Sequence, residues 1–219
     1  MNYQIDAPGS AIRTTVKLPA SKSISNRALI LNALSYSAYD VENLSDCDDT
    51  NLMVKALNSN DRDFNVGAAG TTMRFLTAFL SKVVGEWTIT GTERMKNRPI
   101  KVLVDALNAL GARIEYMEKE GYPPLRIFGS ALQGGEISLP GNVSSQYISA
   151  ILMIAPLTEN GVTLHLEGAI ISRPYIHITL QLMEQYGVRA SWTENTIKVL
   201  PQEYKPIRFT VESDCFLLV

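Results

Sequence analysis

Cysteine is nearly absent from this chain of 219 residues: only Cys47 and Cys215 occur, and no CxxC spacing exists. Neither a disulfide framework nor a zinc site is favoured, and a reduced, cytoplasmic setting is the default. Histidine is equally scarce, with two residues, His165 and His177. One falls in a strand pattern and the other on a helix, and both read as structural. Long apolar runs are missing too. Runs such as residues 28–31 and 148–156, the latter broken by Ser149, fall far short of the roughly 20 residues of a membrane span. The first residues, Met1-Asn2-Tyr3-Gln4-Ile5-Asp6, have neither the basic nor the apolar stretch of a secretory leader. Finally, there is no excess of positive charge. The formal net charge is −2, so no global basic field draws nucleic acid to the protein. Any anion must be held by a few placed groups.

What is present is an ordinary globular composition, 46% hydrophobic and 19% charged. Polarity alternates with a period of two over residues 13–18, 39–42, 86–90, 112–116, 125–128, 136–139, 162–167, 188–192 and 196–200, which predicts strands. Helices are predicted over 23–34, 48–58, 71–82, 99–110, 144–156 and 174–186. Asp46 or Asp48 is the expected cap of the second, and Gly111 and Gly187 the expected stops of two others. Met73, Met153 and Met183 read as core fillers.

An internal repeat runs through this alternation. Arg98-Pro99-Ile100 precedes Leu110-Gly111-Ala112-Arg113, as Arg173-Pro174-Tyr175 precedes Tyr186-Gly187-Val188-Arg189. Gly67…Thr71-Thr72 matches Gly141…Ser144-Ser145 in the same way, and a fainter copy begins at Pro19…Ser21-Lys22-Ser23. The reading is one α/β (α+β) domain of three repeated β/α units.

Several helices of the repeat open with small hydroxylated or basic residues. A helix N-terminus carries unpaired N–H groups and a partial positive charge, which suits phosphate and carboxylate. Ser and Thr there are also ordinary caps. Lys22 and Arg27 are not, because a cation at that end opposes the helix dipole and argues for a bound anion. The segment Pro19-Ala20-Ser21-Lys22-Ser23-Ile24-Ser25-Asn26-Arg27 thus joins a compact ammonium to a planar fork, with hydroxyls between. It lacks the glycines of a phosphate-binding Walker loop.

That segment resembles the opening signature of the 5-enolpyruvylshikimate-3-phosphate (EPSP) synthases. The resemblance continues in order. Gly67-Ala68-Ala69-Gly70-Thr71 is similar to the family's Gly-Asn-Ala-Gly-Thr. Arg94-Met95…Arg98-Pro99-Ile100 is similar to its Arg-Met…Arg-Pro-Ile. Ser144-Ser145-Gln146-Tyr147 and Ser172-Arg173-Pro174-Tyr175 match two further motifs. The resemblance implies half of a two-domain fold, with helices inside and sheets outside. It implies transfer of the enolpyruvyl group of phosphoenolpyruvate to the 5-hydroxyl of shikimate 3-phosphate, in aromatic amino acid synthesis, with no metal or organic cofactor. By residue, it implies that Lys22, Ser23, Arg27, Ser144, Ser145, Gln146, Ser172 and Tyr175 hold shikimate 3-phosphate. Lys22, Gly70, Arg98 and Gln146 would meet phosphoenolpyruvate, Gly70 by close backbone approach, and Lys22 is the catalytic candidate. Arg74 and Arg94 are expected to brace loops.

The sequence departs from the family twice. Ala68 stands where Asn is usual, and the chain is about half the family's length. Residues 18–211 are expected to form the shikimate 3-phosphate-binding domain. Residues 1–17 are expected to pack with a second domain that this sequence lacks, and 212–219 to be a shortened crossover with an atypical tail. The implied partners are the two small-molecule substrates and that second domain, supplied in cis or in trans, with neither nucleic acid nor membrane. Two alternatives are a related cell-wall transferase, disfavoured because Ser23 rather than Asn follows Lys22, and a non-catalytic anion-binding or scaffold module derived from the family.

Overall fold

Residues 63–129 and 135–199 fold into the same pattern in the computed structural model, which describes Gly9 and residues 18–213. The first run contains β2 (Asp63–Asn65), α3 (Gly70–Lys82), β3 (Gly85–Thr90), the single turn α4 (Glu93–Lys96), α5 (Lys101–Ala109), β4 (Arg113–Tyr116) and β5 (Leu125–Gly129). The second contains β6 (Gly135–Pro140), α6 (Ser145–Ile154), β7 (Val162–Glu167), α7 (Arg173–Gln185), β8 (Ala190–Thr193) and β9 (Thr196–Val199). Their sheets have the orders β2-β3-β5-β4 and β6-β7-β9-β8. In each, two parallel strands joined through a helix are followed by an antiparallel hairpin. The repeat read from the sequence is therefore a repeat of structure.

The first unit is less complete. It has α1 (Lys22–Leu34), β1 (Val41–Glu42) and α2 (Asp48–Leu57), and β1 pairs in parallel with β10 (Phe209–Thr210) from the far end of the chain. Ala20 bridges Ser213 beside it. The strand expected over 13–18 lies outside the described residues except for Leu18, as does the tail 215–219.

The helices are inside. Nine of the ten residues of α6 are buried, and α3 is buried along nearly its whole length. Each fully enclosed aliphatic side chain, such as Ile151 or Leu152, contributes about 1.5–3 kcal/mol by leaving water. The sheets lie outside and show it by alternation. Val162, Leu164 and Leu166 of β7 face the helices, and Thr163 and His165 between them do not. No helix among the described residues is long and apolar enough to cross a membrane.

Boundaries agree with the sequence reading within about two residues, with four corrections. The helix expected from Pro99 starts at Lys101, because the Ile100 amide donates to Gly121 O at 2.9 Å instead of pointing along a helix. The cap of α2 is Cys47, not Asp46 or Asp48, and its side chain makes no capping bond; Asp48 and Asp49 lie inside the first turn, where their charge suits the dipole. The last turn of the 144–156 helix tightens to a 3-10 turn at Ala155–Leu157. Three short elements, β2, α4 and β10, escaped detection because two to four residues carry no period. Gly111 and Gly187 stop their helices as expected, at φ of +98° and +88°.

Candidate functional site

Four helices begin at one place. Lys22, the first residue of α1, sets its ammonium 3.6 Å from Asp49 Oδ2 in the first turn of α2. Asp49 Oδ1 accepts the Thr71 N–H of α3 at 3.1 Å, and the Asp49 carbonyl accepts the Thr72 hydroxyl at 2.6 Å. Thr71 Oγ1 in turn accepts the side-chain amide of Gln146, in the first turn of α6, at 3.1 Å. The residue preceding α3 is Ala69, which has no side-chain acceptor, so Asp49 caps this helix from outside. The Lys22 side chain stays 46% exposed, which leaves its ammonium reachable from solvent.

Two arginines shape the same spot. A Cβ on Gly70 would fall 2.3 Å from Arg98 Nη1, so the bare backbone at Gly70 makes room for the Arg98 guanidinium. Burial pulls the Arg98 pKa below its usual value; Arg74 and Arg94 add to this and Asp49 opposes it. Arg74 is itself buried. Its Nη1 donates to Gly70 O at 2.6 Å, and its guanidinium lies 5.3 Å from the centre of the Tyr147 ring. Tyr147 donates to Pro99 O at 2.6 Å. Arg74 braces the Gly70 turn, as the sequence suggested.

Further along α1, Arg27 is 2% exposed. Its Nη1 donates to Ser23 O at 2.8 Å, its Nε to Thr179 Oγ1 at 2.7 Å and its Nη2 to Ser149 Oγ at 2.9 Å. Among the described residues no carboxylate pairs with it. Burial lowers its pKa to about 10, which leaves it charged at neutral pH, and Tyr175 is near enough to oppose that shift. A buried, unpaired ion costs on the order of several kcal/mol.

The serines stand at the starts of α6 and α7. Ser144 caps α6, its Oγ accepting from Gln146 N at 3.4 Å. Ser145 is buried, and Ser172 immediately precedes α7; neither hydroxyl has a protein partner among the described residues. The two turns touch where Ile171 N–H donates to Gly141 O at 3.4 Å. Both helices follow neighbouring parallel strands, so they start at the same end of the sheet.

The structure thus joins Lys22, Gly70, Arg98 and Gln146 in one cluster and Ser23, Arg27 and Tyr175 in a second, with α1 running through both. Ser144 is tied to the first through Gln146, and Ser172, whose carbonyl accepts the Tyr175 N–H at 3.2 Å, adjoins the second. His165 bonds Glu136 and Thr196 on an outer sheet, and His177 stacks on Trp192, with ring centres 4.6 Å apart. Three participants escaped the sequence reading: Asp49, Ser149 and Thr179. Ser149 left a trace as the one break in the apolar run 148–156.

A polar face built from helix starts, one lysine and several arginines suits a small, multiply charged anion. The family model for EPSP synthase (3-phosphoshikimate 1-carboxyvinyltransferase) matches residues 7–61 and 57–216. The chain belongs to the EPSP synthase family. It is 60% identical over 215 residues to a 3-phosphoshikimate 1-carboxyvinyltransferase of Bacteroides fragilis, covering 98% of this chain and 52% of that protein. A protein of the same name from Vibrio campbellii is 42% identical over 236 aligned positions, covering 94% and 55%. The fold matches an EPSP synthase from Acinetobacter baumannii with a TM-score of 0.80 at 21% identity, covering 91% of this chain and 50% of that one. An enolpyruvyl transferase from Streptomyces tendae matches with 0.66 at 14%, covering 96% and 54%. This EPSP synthase family chain therefore spans about half the length of the curated relatives it matches.

Proposed function

We propose that this chain is the shikimate 3-phosphate-binding half of an enolpyruvyl transferase, with residues 18–211 as the binding domain. Shikimate 3-phosphate is held by Lys22, Ser23, Arg27, Ser144, Ser145, Gln146, Ser172 and Tyr175. Lys22, Gly70, Arg98 and Gln146 reach phosphoenolpyruvate, Gly70 by close backbone approach. The 5-hydroxyl of shikimate 3-phosphate adds to the enol ether carbon of phosphoenolpyruvate, whose methylene gains a proton. The tetrahedral adduct then loses phosphate and a proton to give the enolpyruvyl ether. Lys22 is the group of this half suited to exchange a proton with the reacting atoms, being both reachable and ionisable. The remaining residues orient the two anions and offset their charge.

The observation that carries this reading is the convergence of Lys22, Asp49, Thr71 and Gln146, from four helix starts, beside Arg98. Family membership supports the reaction, and the half-length match supports a partner domain that completes the site, with residues 1–17 packing against it and 212–219 leading towards it. The test is calorimetric titration of the chain with shikimate 3-phosphate, followed by a turnover assay with and without the second domain of a relative. Weak binding and no turnover are expected from the chain alone, with turnover on adding the second domain. Absence of binding, or steady-state turnover by the chain alone, contradicts the reading. Binding with no turnover even after the second domain is added favours a non-catalytic anion-binding module.

A further inference from the structure

We propose that Thr179 and Ser149 are positioning residues that hold the Arg27 fork ready for a carboxylate or phosphate of the ligand, an inference that rests on the anion-binding reading above. Guanidinium has five N–H donors. Arg27 commits three, to Ser23 O, Ser149 Oγ and Thr179 Oγ1, which leaves one hydrogen on each of Nη1 and Nη2. All three acceptors are neutral. Tying α1 to α6 and α7 does not require a cation, since apolar packing does this without desolvating a charge. Hydroxyl acceptors do what a carboxylate cannot: they fix the plane of the fork and leave its charge uncompensated.

The proton bookkeeping in the cradle is complete. Thr179 donates its one proton to Tyr175 O at 2.9 Å, so in the 2.8 Å pair between Thr179 and Ser149 the donor is Ser149. Both hydroxyls thereby turn lone pairs toward Arg27. Ser149, Thr179 and Arg27 are all enclosed, whereas Tyr175 is 47% exposed on the same helix. The Phe75 ring, with its centre 5.4 Å from the Arg27 guanidinium carbon, packs beside the fork.

The test compares the unaltered chain with Thr179→Val, which keeps the shape and removes the hydroxyl, and with Thr179→Ser, which restores it. Three quantities are read: calorimetric affinity for shikimate 3-phosphate, the thermal midpoint, and the NMR signal of the Arg27 Nε–H. Thr179→Val should weaken binding about tenfold or more and shift the Nε–H signal. Thr179→Ser should restore both to within about twofold. A lower midpoint with unchanged affinity means a structural tie only and overturns the inference. So does ligand binding that leaves the Nε–H signal unmoved. Should Thr179→Val fail to fold, Ser149→Ala carries the same comparison. Should the unaltered chain bind no shikimate 3-phosphate, the anion-binding reading fails by itself. The Nε–H response to inorganic phosphate then decides the cradle: a shift upholds it and no shift overturns it.

Discussion

The units at residues 63–129 and 135–199 share a strand order and present opposite chemistry. Gly70 and Ser145 are the first residues of α3 and α6, and Arg74 and Ser149 the fifth. Where the former unit offers a bare backbone and a guanidinium, the latter offers two hydroxyls. The arginines that match in sequence also part company. Arg98 lies in the turn before α5 and folds over Gly70, whereas Arg173 is the first residue of α7 and stacks on Trp192. A repeated scaffold supplies positions, and the side chains at equivalent positions decide the chemistry each helix start presents.

The comparison breaks most visibly in the core. The sixth residues of α3 and α6 are Phe75 and Ala150, both fully buried. Phe75→Ala should cost about 3–5 kcal/mol by urea unfolding, and Ala150→Gly about 1 kcal/mol. Equal losses would mean that the two helices are not packed as described. A smaller effect is expected at the first positions. Gly70→Ala should push out the flexible end of Arg98 and weaken inorganic phosphate binding about tenfold, worth about 1.4 kcal/mol, with little change in midpoint. Ser145→Ala should leave the NMR signal of Arg98 in place. Smallest are the caps. Asp49→Ala removes the outside cap of α3 and should cost about 1 kcal/mol. Ser144→Ala removes a 3.4 Å contact and should cost about 0.5 kcal/mol or less by the same measurement. A reversed order would show that α3 does not depend on Asp49.

Much of this was legible beforehand because it is periodic or motif-bound. The alternation of β7 and the amphipathic α5 marked their own elements, and the 98/173 repeat announced two like units. The motif around Lys22 and Arg27 pointed to an anion at a helix start. What stayed hidden depends on partners remote in sequence. Asp49 looks like a first-turn acid until α3 is brought against it. Ser149 and Thr179 lie 122 and 152 positions from Arg27, and nothing local announces that they meet it. The space left by Gly70 admits the Arg98 guanidinium, a contact that nothing local announces. β10 pairs with β1 across most of the chain, a contact that two-residue strands cannot advertise.

The central claim is that separate helix starts make one anion-binding face. Backbone amide NMR during a shikimate 3-phosphate titration tests it most directly. Shifts confined to the first turns of α1, α2, α3, α6 and α7 are the predicted result. Shifts centred on the outer faces of the two four-stranded sheets, with those helix starts unmoved, would contradict it.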